Sequence, residues 1–257
     1  MKNSVALLLL LIVCVNLGAC KKDKAEKEFK GITQTQGGKL APVFEFSSGT
    51  NPTDIVYNAV VPYMMGTILV KINYKLTYKG NALNNAVIET VGETIPVTYT
   101  SNSKHLVIGS DFRGKRNNVT YNYDGQNRLI SSVGGSLNFE YVYDEQNLNK
   151  IVATNQRGTK IWEVAVEADR SLNPLANAPL PYLEEEMPMW TWFSLSKHNI
   201  TGLTYTYFGS SGQVTETIKY VYRYTYEEDK PITMKRYLYA EFLKGEKGYY
   251  EGFTYNY

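Results

Sequence analysis

Cysteine is almost missing from this sequence. The 257 residues hold two, Cys14 and Cys20, both close to the start. Cys14 lies inside an apolar run that reads as a cleaved signal. The mature chain then keeps one thiol, which excludes a disulfide framework and any cysteine-built metal site. Histidine is as scarce: His105 and His198 are the only two. They are too far apart in sequence for a local ligand pair, and each reads as an incidental imidazole. No Gly-x-Ser-x-Gly elbow, phosphate loop or dinucleotide fingerprint occurs, so local signatures point to no catalytic residue, no cofactor and no metal. A surplus of positive charge is lacking too. Of the formal +2, Lys2 supplies one unit, and residues 20–30 hold five lysines against three acids. Residues 31–257 are left at about −1, without a basic stripe for a phosphate backbone, which excludes nucleic acid as a partner.

Tyrosine, with 22 copies, is what the chain has in plenty. In Val119-Thr120-Tyr121-Asn122-Tyr123 the large residues alternate with polar ones, the period-two signature of a strand with one packed face and one wet face. Asp124-Gly125-Gln126-Asn127 then supplies turn chemistry, and Leu129, Ser131 and Val133 resume the alternation. The frame returns at Tyr141-Val142-Tyr143-Asp144, Leu76-Thr77-Tyr78, Val97-Thr98-Tyr99, Tyr205-Thr206-Tyr207 and Tyr224-Thr225-Tyr226. From Tyr78 to Tyr99, Tyr123 and Tyr143 the steps are 21, 24 and 20 residues, and Tyr207 to Tyr226 is 19. A step near twenty is one hairpin, a strand out and a strand back. The expected fold is therefore all-β: a long antiparallel meander of Tyr-rich hairpins forming a large curved sheet or a barrel-like structure.

Two stretches depart from that rhythm. Residues 31–62, with Gly37-Gly38 and prolines 42, 52 and 62, read as irregular apart from one strand at Val43–Phe46. Residues 170–200 hold four of the nine prolines, the run Glu184-Glu185-Glu186, and Trp190-Thr191-Trp192-Phe193. Closely spaced prolines forbid a continuous strand, so this is an insertion, with room for a helical turn or two at Pro181–Met187. It suits a cover over an open barrel end or sheet edge. Its aromatics, Tyr182, Trp190, Trp192 and Phe193, fit two roles: a platform for stacking sugar rings, or hydrophobes that plug the core beneath the cover.

The N-terminus carries an address. After Met1-Lys2-Asn3, Val5–Val15 is an apolar run of eleven, right for a signal-peptide core and short of the ~20 residues of a spanning helix. It ends in Leu17-Gly18-Ala19-Cys20, which resembles the lipobox of bacterial lipoproteins, and the resemblance implies lipidation of Cys20. The domains expected are a signal at 1–19, a lipidated cysteine with a charged tether at 20–30, and a single all-β domain over 31–257. Lys21 and Lys22 stand where an aspartate would resemble an inner-membrane retention signal. The anchor is therefore placed in the outer membrane, with the domain facing the periplasm or the cell surface.

The Tyr-x-Tyr-Asp frame resembles the YD repeat of Rhs-type proteins. The whole pattern, over roughly residues 65–257, is similar to a family of uncharacterised Gram-negative lipoproteins described as having a porin-like fold. In that family a Tyr-rich meander is interrupted by segments like Asn173-Pro174 and Ser196-Lys197-His198-Asn199. The resemblance implies fold and location and assigns no functional residue. A lipid-facing strand needs an apolar outer face of about nine to eleven residues, whereas the repeated face here is tyrosine. A tethered structure outside the bilayer is therefore favoured over a spanning barrel. The functional expectation is a non-enzymatic lipoprotein, either a binding module or a surface or assembly component, with a glycan, a peptide or an envelope protein as partner. The alternative is an envelope hydrolase whose carboxylates, among Asp169, Glu184–Glu186 and Glu227-Glu228-Asp229, converge in space.

Overall fold

The computed structural model describes residues 28–36, 39–47, 51–63, 66–112, 118–183, 188–240 and 248–257. They form one antiparallel sheet closed on itself into a barrel of sixteen strands in sequence order, the first pairing with the last. The strands run β1 (Gly31–Gln36), β2 (Lys39–Phe46), β3 (Asp54–Tyr63), β4 (Gly66–Lys79), β5 (Ala82–Thr90) and β6 (Glu93–Ser101). Five shorter ones follow: β7 (Val107–Asp111), β8 (Val119–Tyr123), β9 (Leu129–Val133), β10 (Asn138–Asp144) and β11 (Asn147–Thr154). The last five are β12 (Lys160–Leu172), β13 (His198–Phe208), β14 (Val214–Glu227), β15 (Lys230–Ala240) and β16 (Gly248–Asn256). The expected meander is present, and it closes.

Side-chain alternation sorts the wall into an apolar inside and a polar outside. Ile55, Tyr74, Ile88 and Ile95 lie side by side across β3–β6 and are buried. One position along, Val56, Asn73, Glu89 and Thr94 lie side by side on the other face. The same parity puts Trp162, Val164 and Val166 inside with Tyr205 and Tyr207, and puts Tyr220, Tyr222 and Tyr224 inside opposite Leu238, Arg236 and Met234. The outer wall carries ion pairs between strands. Lys75 meets Glu89 at 2.7 Å, Glu163 takes both Lys150 at 3.1 Å and Lys160 at 3.0 Å, and Lys219 reaches Glu167 at 2.8 Å. That is the reverse of a membrane-spanning barrel, where the outside is apolar and the lumen polar.

The structure corrects the reading of residues 31–62. Three strands, β1 to β3, occupy that stretch. Pro42 is accommodated beside a register shift at Ile32/Thr33, and Pro62 falls near the end of its strand, pairing with Thr67, so neither proline interrupts a central ladder. The alternation Leu129, Ser131, Val133 is also corrected. A bulge spends Ile130 as an extra residue, so Leu129 and Ser132 are buried while Val133 faces out.

Candidate functional site: the plugged mouth

In an antiparallel barrel successive turns alternate between the two ends. The turns at 80–81, 102–106, 124–128, 145–146 and 228–229 share one mouth with the 173–197 insertion. The first and last of the described residues, Glu28–Phe29 and Tyr257, lie at that mouth too. Phe29 packs its ring on Phe46, Tyr255 and Tyr257 at 5.7–6.0 Å.

The tyrosine repeat does its bonding here. Tyr123 donates its hydroxyl to the carbonyl of Val107 at 2.6 Å, and Tyr143 donates to that of Leu129 at 2.9 Å. The first tyrosine of each frame meets a serine on the preceding strand, Tyr121 with Ser110 and Tyr141 with Ser132, both at 3.2 Å. These links sit where the backbone ladder is shortest. β7 and β8 pair through Gly109↔Thr120 and Ser110↔Val119, and β9 and β10 through Ser132↔Phe139 and Ser131↔Glu140. Where the strands splay toward the mouth, a phenol reaches across to a carbonyl beyond the ladder, a strong acceptor that is costly to bury unbonded. Tyr78, Tyr224 and Tyr257 do the same to Pro52, Ile200 and Pro231. Burial raises the phenol pKa throughout: Tyr78 and Tyr257 are pushed up to about 12, and Tyr99, Tyr123 and Tyr143 are raised further.

The insertion folds into the lumen. Leu180–Tyr182 is a single 3-10 turn, and Pro188–Ser194 is helix α1, with proline at its first position as its missing N–H allows. The 3-10 turn takes in the start of the Pro181–Met187 stretch read as having room for a helical turn or two, helix α1 begins just after that stretch, and residues 184–187, with the Glu184–Glu186 run, lie outside the described residues. Three of the four aromatic candidates are core: Trp190, Trp192 and Phe193 are 4%, 2% and 2% exposed. Trp190 packs edge-on against Phe44 and Phe253, Phe193 edge-on against Tyr222, and Trp192 at a tilt against Trp162 and Tyr205. One short helix therefore touches strands along the arc that runs from β12 through β16 to β2. Tyr182 lies on the other arc, edge-on to Tyr121 at 5.2 Å, with its carbonyl accepting from Tyr99 and its hydroxyl 3.0 Å from that of Tyr123.

Asparagines hold the base of this plug, and they belong to the two segments carrying the lipoprotein-family resemblance. Asn173 donates to the carbonyls of Phe193 and Ser196 at 2.5 and 3.0 Å and accepts from the Leu175 amide. Asn199 donates to the carbonyls of Ser171 and Leu172, both at 3.2 Å. Those motif residues clasp the two ends of the insertion, a structural job.

Between the plug and the hairpin tips lies a cleft of about 540 Å³, lined by Tyr123, Tyr143 and Tyr182 and by the amide side chains of Gln126, Asn127, Gln146 and Asn177. That volume suits a small ligand, for which pockets run roughly 300–1,000 Å³. Asn127 and Asn177 both hold positive φ, 64° and 67°, a conformation asparagine tolerates better than most residues. The cleft's guanidinium is spoken for. Arg128 pairs with Asp124 at 2.6 Å, reaches the Glu145 carbonyl, and lies over the Tyr143 ring at 4.9 Å. The Arg128 and Gln126 amides, with that guanidinium, hold the Asp124 carboxyl below its usual range. Nothing in the sequence marked this site, because its residues come from separate turns. The one local hint was amide-rich turns directly after the second tyrosine of a frame.

Other acids are engaged or lie at turns. Glu251, on the inner wall, is bonded by Arg236, Asp169 accepts from the Tyr226 hydroxyl, and Glu228-Asp229 form a hairpin tip with positive φ. Among the described residues no three His, Cys, Asp or Glu gather as a metal site would require. His105 sits in the 102–106 turn with φ 65°, and His198 opens β13. Cys20 lies outside the described residues.

No protein-family model matches the sequence, and no curated protein does. Among solved structures, a porin-like protein from Bacteroides uniformis ATCC 8492 resembles the chain with a TM-score of 0.55 at 14% identity, over 88% of this chain and 95% of the other. A porin-like protein from Bacteroides vulgatus ATCC 8482 gives a TM-score of 0.44 at 10% identity, over 90% and 99% of the two chains. At 14% identity the likeness to the first is one of fold, the closed antiparallel β barrel.

Proposed function

We propose that this chain is an outer-membrane lipoprotein, tethered through Cys20, whose barrel stands in water and conducts nothing. It works as a binding module for a partner in the envelope. The observation that carries this reading is the inverted polarity of the wall: ion pairs and hydroxyls outside, aromatics inside, and a lumen filled by Trp190, Trp192 and Phe193. A conducting barrel of this strand number keeps a water-filled lumen and an apolar belt. Binding is assigned to the plugged mouth, where the cleft offers polar side chains around Tyr182, the one partly exposed member of the four aromatic candidates. The ligand may be sought among glycans, peptides and envelope proteins. Glu251 and Asp169 are engaged by Arg236 and Tyr226, and no observation favours the hydrolase alternative.

Two measurements test the reading. Cells expressing the wild type and a Cys20→Ala variant are fed a labelled fatty acid and fractionated. The expected result is label and outer-membrane attachment for the wild type, and a soluble, unlabelled variant. The purified mature chain is then added to planar bilayers, where no conductance steps are expected. A lipid-free wild type, or steady single-channel currents, would overturn the proposal.

A further inference from the structure

We infer that the cleft at the plugged mouth holds the neutral sugar rings of a saccharide on the membrane-facing side of the barrel. The sidedness rests on the tethered reading above, whereas the chemistry does not. Charge is the first argument. Arg128 is consumed by Asp124 and the Glu145 carbonyl, and the other cation lining the cleft, Lys197, is an exposed side chain, so the cleft offers an anion no buried, unspent charge. Hydrogen bonding is the second. Gln126, Gln146 and Asn177 each present a donor and an acceptor together, and Asn127, whose Oδ1 accepts from Lys104, adds donors, which matches a hydroxyl that is itself both. Shape is the third. The partly exposed rings of Tyr123, Tyr143 and Tyr182 supply apolar surface with a polar tip, suited to the C–H face of a sugar. Positive φ at Asn127 and Asn177 fixes two of the amide carriers in turn geometry before a ligand arrives. The ligand's source follows from the chain path. Glu28 and Phe29 lie at this mouth, and Glu28 stands eight positions after Cys20. Eight residues reach at most about 29 Å even when fully extended, so a lipid on Cys20 turns the cleft toward the membrane.

The test uses the full mature chain and two kinds of probe. One is a panel of neutral, acidic and amino saccharides in solution. The other is phosphatidylethanolamine vesicles with and without a neutral glycolipid. The key variant is the pair Asn127→Gly and Asn177→Gly, because glycine keeps the positive φ while removing both amides. Binding is expected for neutral saccharides, in solution or as the glycolipid headgroup, and it should weaken about tenfold in the paired variant with an unchanged melting temperature. A response to soluble saccharide alone identifies a free glycan, and a response confined to glycolipid vesicles identifies a headgroup. Both support the inference. Preference for acidic sugars, equal binding by the paired variant, or no saccharide bound in either arm overturns it. That failure leaves the tethered barrel standing, since the tethered reading fails by conductance or by loss of the lipid.

Discussion

The two halves of the barrel wall use tyrosine differently. Strands β12 to β15 run 13, 11, 14 and 11 residues and pair along most of that length, whereas β7, β8 and β9 have five apiece. On the long side the ladder carries the backbone, and tyrosine serves mainly as a ring. Tyr205 packs on Trp162, Trp192, Tyr207 and Tyr220 at 5.6–6.3 Å. On the short side the hydroxyl is the working part, carried by Tyr123 and Tyr143 to carbonyls and by Tyr121 and Tyr141 to serine hydroxyls on the preceding strand. One repeat thus solves two problems, filling a wide lumen and bridging a splayed seam.

That contrast can be broken in graded steps. Alkali should have the largest effect, because it acts on both halves. Neutral phenols are favoured in the fold, so their contribution is intact below the ordinary tyrosine pKa near 10. It is lost as pH climbs from there through the raised folded values. The half-buried Tyr78 and Tyr257, at about 12, should ionise before Tyr123 and Tyr205, which burial raises further. A tyrosinate absorbance titration should therefore show cooperative unfolding above pH 10. Simple titration of every tyrosine near pH 10 with the fold intact would contradict it.

Next comes Trp192→Ala on the long side, expected to cost about 3–5 kcal/mol by emptying the contact with Trp162 and Tyr205. Denaturant unfolding measures it. Asn173→Ala should cost roughly 2–4 kcal/mol, since it strands the buried carbonyls of Phe193 and Ser196 at the C-terminal end of the plug. Tyr123→Phe and Tyr143→Phe should each cost about 1–3 kcal/mol and speed amide exchange locally in β7–β10. Tyr207→Phe, on the long side, should stay within about 0.5 kcal/mol, and equal effects in the two halves would dissolve the contrast. Smallest is Gly202→Ala. A Cβ there would lie 2.7 Å from the Glu167 carboxylate that crosses β13 toward Lys219, but a flexible side chain can yield, and about 0.5 kcal/mol is expected.

Much of the wall was legible because period two is a strong signal. Tyr220, Tyr222 and Tyr224 do share the inner face, and the turns fall where Gly125, Gly212 and Asp229 announced them. Closure was not legible. It depends on Ile32 meeting Tyr255, near opposite ends of the sequence; of the first three strands only the Val43–Phe46 part of β2 was legible, the rest being hidden by prolines that sit at a bulge and near a strand end. The 3-10 turn at Leu180–Tyr182 overlaps the stretch read as having room for a helical turn, whereas helix α1, opened by Pro188, was not foreseen. For Trp190 and Trp192 the sequence offered two roles, and burial against Phe44, Phe253, Trp162 and Tyr205 puts them in the core. The cleft escaped because it joins Tyr123, Asn127, Tyr143 and Asn177, residues up to 54 apart, in a pattern that exists only once the hairpins stand side by side.

The most direct test of a water-facing wall is the environment of Thr206, which lies on the outer face between Glu163 and Thr217. A nitroxide placed there through Thr206→Cys, with Cys20 replaced so that a single thiol remains, is measured with lipid vesicles present. Faster collision with a water-soluble paramagnetic reagent than with oxygen is predicted. The reverse order, as for a label buried in hydrocarbon, would contradict the account.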